Sequence, residues 1–182
     1  MDSVDIEVLR TAEQWRKSGR RVALGTIVKT WGSAPRPIGA MVAIRDDGQI
    51  VGSVSGGCVE DDLVEKVRDQ FAAAKKPELV TYGITNAEAT RWGLPCGGTL
   101  ELVLEPISEK SGLAELLDKV QSQQLVKRRV EMDSGRATLE PGRWQDVLEF
   151  DGRMLSAVHG PRWRLVLIGA GQLTRYLAEM AR

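Results

Sequence analysis

Histidine occurs once in this 182-residue chain, cysteine twice, and phenylalanine and tyrosine twice each. His159, Cys58 and Cys96 are far apart in sequence and there is no CxxC pair. A closed tetrahedral zinc site therefore has too few ligands unless carboxylates contribute. In a reducing cytosol the two cysteines are expected as free thiols. Neither sign of charge is in excess, with 25 Lys and Arg against 25 Asp and Glu. Without a basic block there is no electrostatic footprint for a phosphate backbone, which excludes nucleic acid as the expected ligand. Long apolar runs are also lacking. The opening MDSVDIEVLRTAEQW carries acids early and has no uninterrupted apolar core. It resembles neither a signal peptide nor a membrane span, and the cytoplasm is the expected compartment. No Ser-His-Asp set, paired-acid signature or HExxH motif is present, which favours binding and delivery over turnover.

What is there reads as an α/β protein. Val8, Ala12 and Trp15 recur at helical spacing, and Gly19 is placed to end a helix over 5–18. RVALGTIVKTWG is a nearly continuous β-branched and apolar run, the pattern of a strand covered on both faces. AMVAIRDDGQIVGSV predicts two short strands about Asp47-Gly48. After Cys58, Val59, Leu63, Val67 and Phe71 recur every fourth residue, so a helix leaves the glycine loop directly. ELVTYGI and TLELVLEP are further strands, LAELLDKVQ a helix, and RRVEMD, RATLE and DVLEF shorter strands of the same or an added sheet. The expected architecture is an N-terminal mixed-sheet α/β domain, residues 1–160. Residues 161–182, with LVLIGAGQLTRYLAEMA, read as the truncated start of a Rossmann-like domain: a buried strand, a glycine turn and a helix. In that turn Gly169 and Gly171 are the candidate nucleotide-binding glycines, with Thr174 where a GxGxxG motif has its third glycine. An isolated strand and helix cannot bury their own apolar faces. Leu173, Tyr176, Leu177 and Met180 are therefore expected to pack on the first domain or on a second copy, giving a homodimer. His159, before Gly160-Pro161, reads as a linker residue.

Three loops have the composition of a binding site. In GSVSGGCVE, Ser53, Ser55, Gly56 and Gly57 precede the helix that Cys58 opens. Free N–H groups and the positive end of the helix dipole make such a loop a plausible anion cradle. A thiol there is stabilised as thiolate by the same groups, while Glu60, Asp61 and Asp62 act in the opposite direction. A tight structural turn and a small buried cysteine are the plain alternatives. Cys96 repeats the context in mirror order, followed by Gly97 and Gly98. Two thiols beside glycine pairs suit a soft or sulfur-bearing partner, such as a metal held by a dithiolene. WGSAPRPIGA is stiffened by prolines around Arg36, whose planar fork pairs with phosphate or carboxylate, and Ser33 adds a hydroxyl. A surface salt bridge would serve Arg36 equally well.

Taken in order, GSAPRPIGAMVAIRDDGQIVGSVSGGCVE, CGGTLELVLEP and LVLIGAGQLTRYLAEMA resemble the XdhC/CoxI family, accessory proteins of molybdenum hydroxylases such as xanthine and carbon monoxide dehydrogenases. The resemblance implies a non-catalytic chaperone that binds the molybdenum cofactor (molybdopterin), protects it and supports its sulfuration by a cysteine desulfurase. Such a chaperone then delivers the cofactor to the apo molybdenum hydroxylase. It also implies that Cys58 is the leading cofactor contact, and the metal's ligand through the bound cofactor. Ser53, Ser55, Gly56 and Gly57 would lie around it, Cys96 with Gly97 and Gly98 would be the second contact, and Arg36 a phosphate or pterin partner. Two other readings are carried beside it: an NAD- or FAD-dependent oxidoreductase built on GAGQLT, and a degenerate dimerising interaction module.

Overall fold

The computed structural model describes residues 3–32, 36–69, 74–83, 99–161 and 166–180. Helix α1, Ser3–Lys17, is followed at Gly19 by a left-handed residue that lets the chain reverse into strand β1, Val22–Trp31. Strands β2, Met41–Arg45, and β3, Ile50–Gly52, form the hairpin expected about Asp47-Gly48, with Gly48 at positive φ. Helix α2, Cys58–Asp69, then crosses to strands β4, Glu78–Tyr82, and β5, Thr99–Pro106. These five strands form one sheet in the order β3-β2-β1-β5-β4, and every pairing in it is antiparallel.

Both faces of this sheet are covered, as the continuous apolar run of β1 requires. On one face Val59, Leu63 and Val67 of α2 pack against Ile27, Val42, Ile44 and the alternating Leu100, Leu102 and Leu104. On the other, Val8, Leu9 and Ala12 of α1 pack beside helix α3, Leu113–Gln121, over Leu24, Met41 and Ala43. The rest of that second face meets an added sheet of four antiparallel strands: β6, Val126–Glu131; β7, Ala137–Pro141; β8, Glu149–Phe150; and β9, Met154–His159, in the order β7-β6-β9-β8. Val28 and Val103 join Val130, Met132 and Leu155 there.

A buried ion pair ties the two sheets together. Arg128 of β6 donates to both carboxylate oxygens of Glu105 of β5, at 2.5 and 3.0 Å, and to the carbonyl of Ser111, with both charged side chains at most 5% exposed.

Two expectations need correction. His159 is not a linker residue: it ends β9, pairs with Val126 across the sheet, and is buried. The strand expected before Gly169 is not formed by residues 166–170, which carry no regular structure and are largely exposed; residues 162–165 lie outside the described set. A lone apolar segment has no neighbouring strand to satisfy its backbone, so its sequence pattern alone does not make it a strand. Helix α4, Gln172–Met180, does form, but none of its residues is buried. Leu173 is 72% and Met180 84% exposed, so this face does not pack on the first domain.

Candidate functional site

The register of the five-stranded sheet brings the candidate loops to one end. Gly52, the last residue of β3, pairs with Val42 at the start of β2; Trp31 at the end of β1 pairs with Thr99 at the start of β5; and Tyr82 at the end of β4 pairs with Leu100. Consequently the proline loop before β2, the glycine loop after β3 and the segment leading into β5 all leave the sheet on the same side. Ser33, Cys96, Gly97 and Gly98 lie outside the described residues; the described strand ends set the side from which their segments leave.

The glycine loop is organised by a residue whose sequence position suggests only a helix-end charge. Glu60, at the third position of α2 and 3% exposed, turns its carboxylate back into the loop. Its Oε1 accepts the hydroxyl of Ser53 at 2.7 Å and the backbone N–H groups of Val54 at 2.8 Å, Ser55 at 2.9 Å and Gly56 at 3.3 Å. Its Oε2 accepts the N–H of Gly57 at 3.0 Å and the hydroxyl of Ser55. The Glu60-to-Gly57 bond is the carboxylate half of a capping box, in which the third helical residue reaches back to the N-cap N–H. Ser55 completes the arrangement by accepting the N–H of Val59 at 3.0 Å. Burial alone would raise the Glu60 pKa, but the hydroxyls of Ser55 and Ser53 and the N–H groups of Ser55 and Val54 more than offset it and hold the carboxyl at about 2.

This geometry corrects the anion-cradle expectation. The loop does gather N–H donors at a helix N-terminus, but Val54, Ser55, Gly56 and Gly57 all direct them at the protein's own carboxylate. A phosphate would have to displace Glu60 or share its donors against like charge, so residues 53–57 do not fit a phosphate. They fit a different task, holding the start of α2 rigidly in place with Cys58 as its first residue. The glycines are needed for this shape: Gly56 and Gly57 sit at φ of 86° and 140° with open space around each Cα. Gly52 is confined instead, since an added Cβ would fall 2.4 Å from the Met41 carbonyl oxygen and 2.5 Å from Val8.

Two of the three consecutive acids at 60–62 are thus engaged within the protein, because Asp62 accepts the hydroxyl of Tyr82 at 2.7 Å. Burial, then the Asp62 hydrogen bond and charge, push the Tyr82 hydroxyl above its ordinary range and keep it a donor. The same bond fixes the N-terminal part of α2 beside the end of β4, which pairs with the start of β5. Arg36 lies on the proline loop, partly buried, and its Nε is buried without a hydrogen-bond partner. Gly169 has positive φ and Gly171 precedes α4, with residues 169–171 exposed and the described residues 166–168 before them not in a strand. Among the described residues no group of three or more His, Cys, Asp or Glu side chains is placed to hold a metal.

Residues 15–83 match the model of the XdhC and CoxI family, a segment that includes the proline loop, the glycine loop and α2. Over that segment the chain is similar to the XdhC and CoxI family. It is 33% identical over 122 residues to the molybdenum cofactor insertion chaperone PaoD of Escherichia coli, covering 65% of this chain and 37% of that protein. It is 27% identical over 186 residues to a probable xanthine dehydrogenase subunit of Bacillus subtilis, covering 87% of this chain and 55% of that one. A crystal structure described as a xanthine dehydrogenase from Bacillus halodurans shares the fold, with a TM-score of 0.62 and 24% identity over 86% of this chain and 53% of that one. The chain therefore spans about half or less of the length of the relatives it matches. No helix among its described residues is long and apolar enough to cross a membrane.

Proposed function

We propose that the chain is a carrier for the molybdenum cofactor, holding it as cargo for insertion into a molybdenum hydroxylase of the xanthine dehydrogenase type. The observation that carries this reading is the Glu60-pinned loop, which spends six hydrogen bonds on fixing the helix start at Cys58. The family match over that same loop and the similarity to PaoD, a molybdenum cofactor insertion chaperone, support it.

In this reading Cys58 meets the soft, sulfur-bearing end of the cargo. Gly56 and Gly57 leave room for close approach, while Ser53 and Ser55 act through Glu60 and position the loop without touching the cargo. Cys96, with Gly97 and Gly98, is the second contact, on the segment that enters β5. Arg36 takes an anionic group in place of the glycine N–H donors that Glu60 occupies. The bound cargo supplies the molybdenum and dithiolene chemistry that the recipient enzyme uses. The protein's part is to hold it and exclude water. Assistance to a cysteine desulfurase in sulfuration, and docking on the apo-hydroxylase, belong to the same proposal.

Cys58→Ser is expected to lower retained cofactor at least tenfold after anaerobic gel filtration, read as pterin fluorescence of the protein peak, with the melting temperature unchanged. Retention equal to wild type would remove Cys58 from the contact set. A homodimer through the exposed α4 face is the companion proposal. Light scattering is expected to show a mass near twice 20.0 kDa that Leu173→Glu returns to the monomer value. A strict monomer at all concentrations would overturn it.

A further inference from the structure

A cavity of about 620 Å³ lies between the first sheet and the added sheet, under residues 36–41. This is within the range of about 300–1,000 Å³ typical of small-molecule sites. Leu9, Leu24, Leu148 and Leu155 supply apolar wall from four different elements or loops, and the exposed Ile38 and Val147 stand among its lining.

Its polar lining is few in number and mostly committed. Arg128 spends its guanidinium on Glu105 and the Ser111 carbonyl, and Asp5 and His159 are each engaged within the protein. Arg36 differs from them. It lines this cavity, and its Nε is buried with no hydrogen-bond partner. A buried cationic donor left unpaired is costly, and an anionic oxygen entering beside it would remove that cost. Asp5 stands on the α1 side of the cavity and disfavours a second negative charge there.

We infer that this cavity is a binding site for a compact organic anion, an apolar or aromatic body bearing one carboxylate or phosphate, whose charge pairs with Arg36 and whose body lies against the leucine wall. The site shares Arg36 with the carrier reading but does not depend on it, because the anion and the wall are recognised without any thiol or metal.

The test uses naphthoate, a planar fluorescent carboxylate, and naphthamide, its neutral counterpart, titrated into the full chain. Naphthoate is expected to bind saturably and at least tenfold more tightly than naphthamide. Arg36→Met keeps the apolar stem and removes the charge; it is expected to weaken naphthoate at least tenfold and to leave naphthamide unchanged. Ala157→Leu adds bulk to the cavity lining on β9 and is expected to weaken both probes, with circular dichroism confirming that each variant is folded. No saturable naphthoate binding by the folded wild-type chain, equal affinity for the two probes, or full naphthoate affinity in Arg36→Met would each overturn the inference.

Discussion

Replacing Glu60 with glutamine lowers stability by about 2–4 kcal/mol, a large change for a single helix residue. The carboxylate accepts from two hydroxyls and four backbone N–H groups. An amide keeps one oxygen and turns an NH₂ donor toward groups that are themselves donors. Urea denaturation measures this as a midpoint lower by roughly 1 M or more. A change under about 0.5 kcal/mol would mean that the loop does not depend on the carboxylate. Acid linkage gives an independent reading of the same group. Its pKa is about 2 in the folded chain against an ordinary 4.5, so on acidification the unfolded chain binds the proton first. The stabilisation is complete above about pH 4.5, falls as pH drops through that range toward 2, and amounts to something on the order of 3 kcal/mol. The glutamine variant should lose that part of the pH dependence between pH 5 and 2 and keep the rest.

Breaking the pair between the sheets has a similar effect for a different reason. Arg128→Met alone strands the Glu105 carboxylate, 2% exposed, among apolar neighbours and should cost about 3–5 kcal/mol. Glu105→Leu with Arg128→Met removes both charges and should recover most of that loss, because two apolar side chains need no partners. The comparison is a double-mutant cycle read by denaturant unfolding. A double variant as unstable as the sum of the two singles would show that the pair is not the interaction at stake. The expected coupling also separates this site from Glu60, whose effect should add independently.

These two carboxylates mark where the sequence is readable and where it is not. Apolar period reveals α1, α2, α3 and the strands of the first sheet, because each buries a face whose pattern is set by its own residues. The alternation at Leu100, Leu102 and Leu104 is the clearest case. The β8–β9 hairpin carries the same Asp-Gly signal at 151–152 that marks 47–48, and Gly152 is at φ 86°, but the weak alternation of MLSAVH hides its second strand. Without β9, His159 resembles a linker residue. The glycine loop stands out by composition, yet its partner does not. An acid at the third helical position after a glycine turn is a capping signal, and followed through it points Glu60 back at Gly57. Nothing local to Glu105 or Arg128 predicts their union, since they lie 23 residues apart on strands of different sheets. The common end of the sheet for the candidate loops likewise follows from strand order, which no single segment encodes.

The most direct measurement is anaerobic incubation of the full wild-type chain with free molybdenum cofactor, gel filtration, and pterin fluorescence of the 20.0 kDa chain's peak. The carrier account predicts that pterin co-migrates with the protein in near-stoichiometric amount. A folded chain that emerges free of pterin would contradict it.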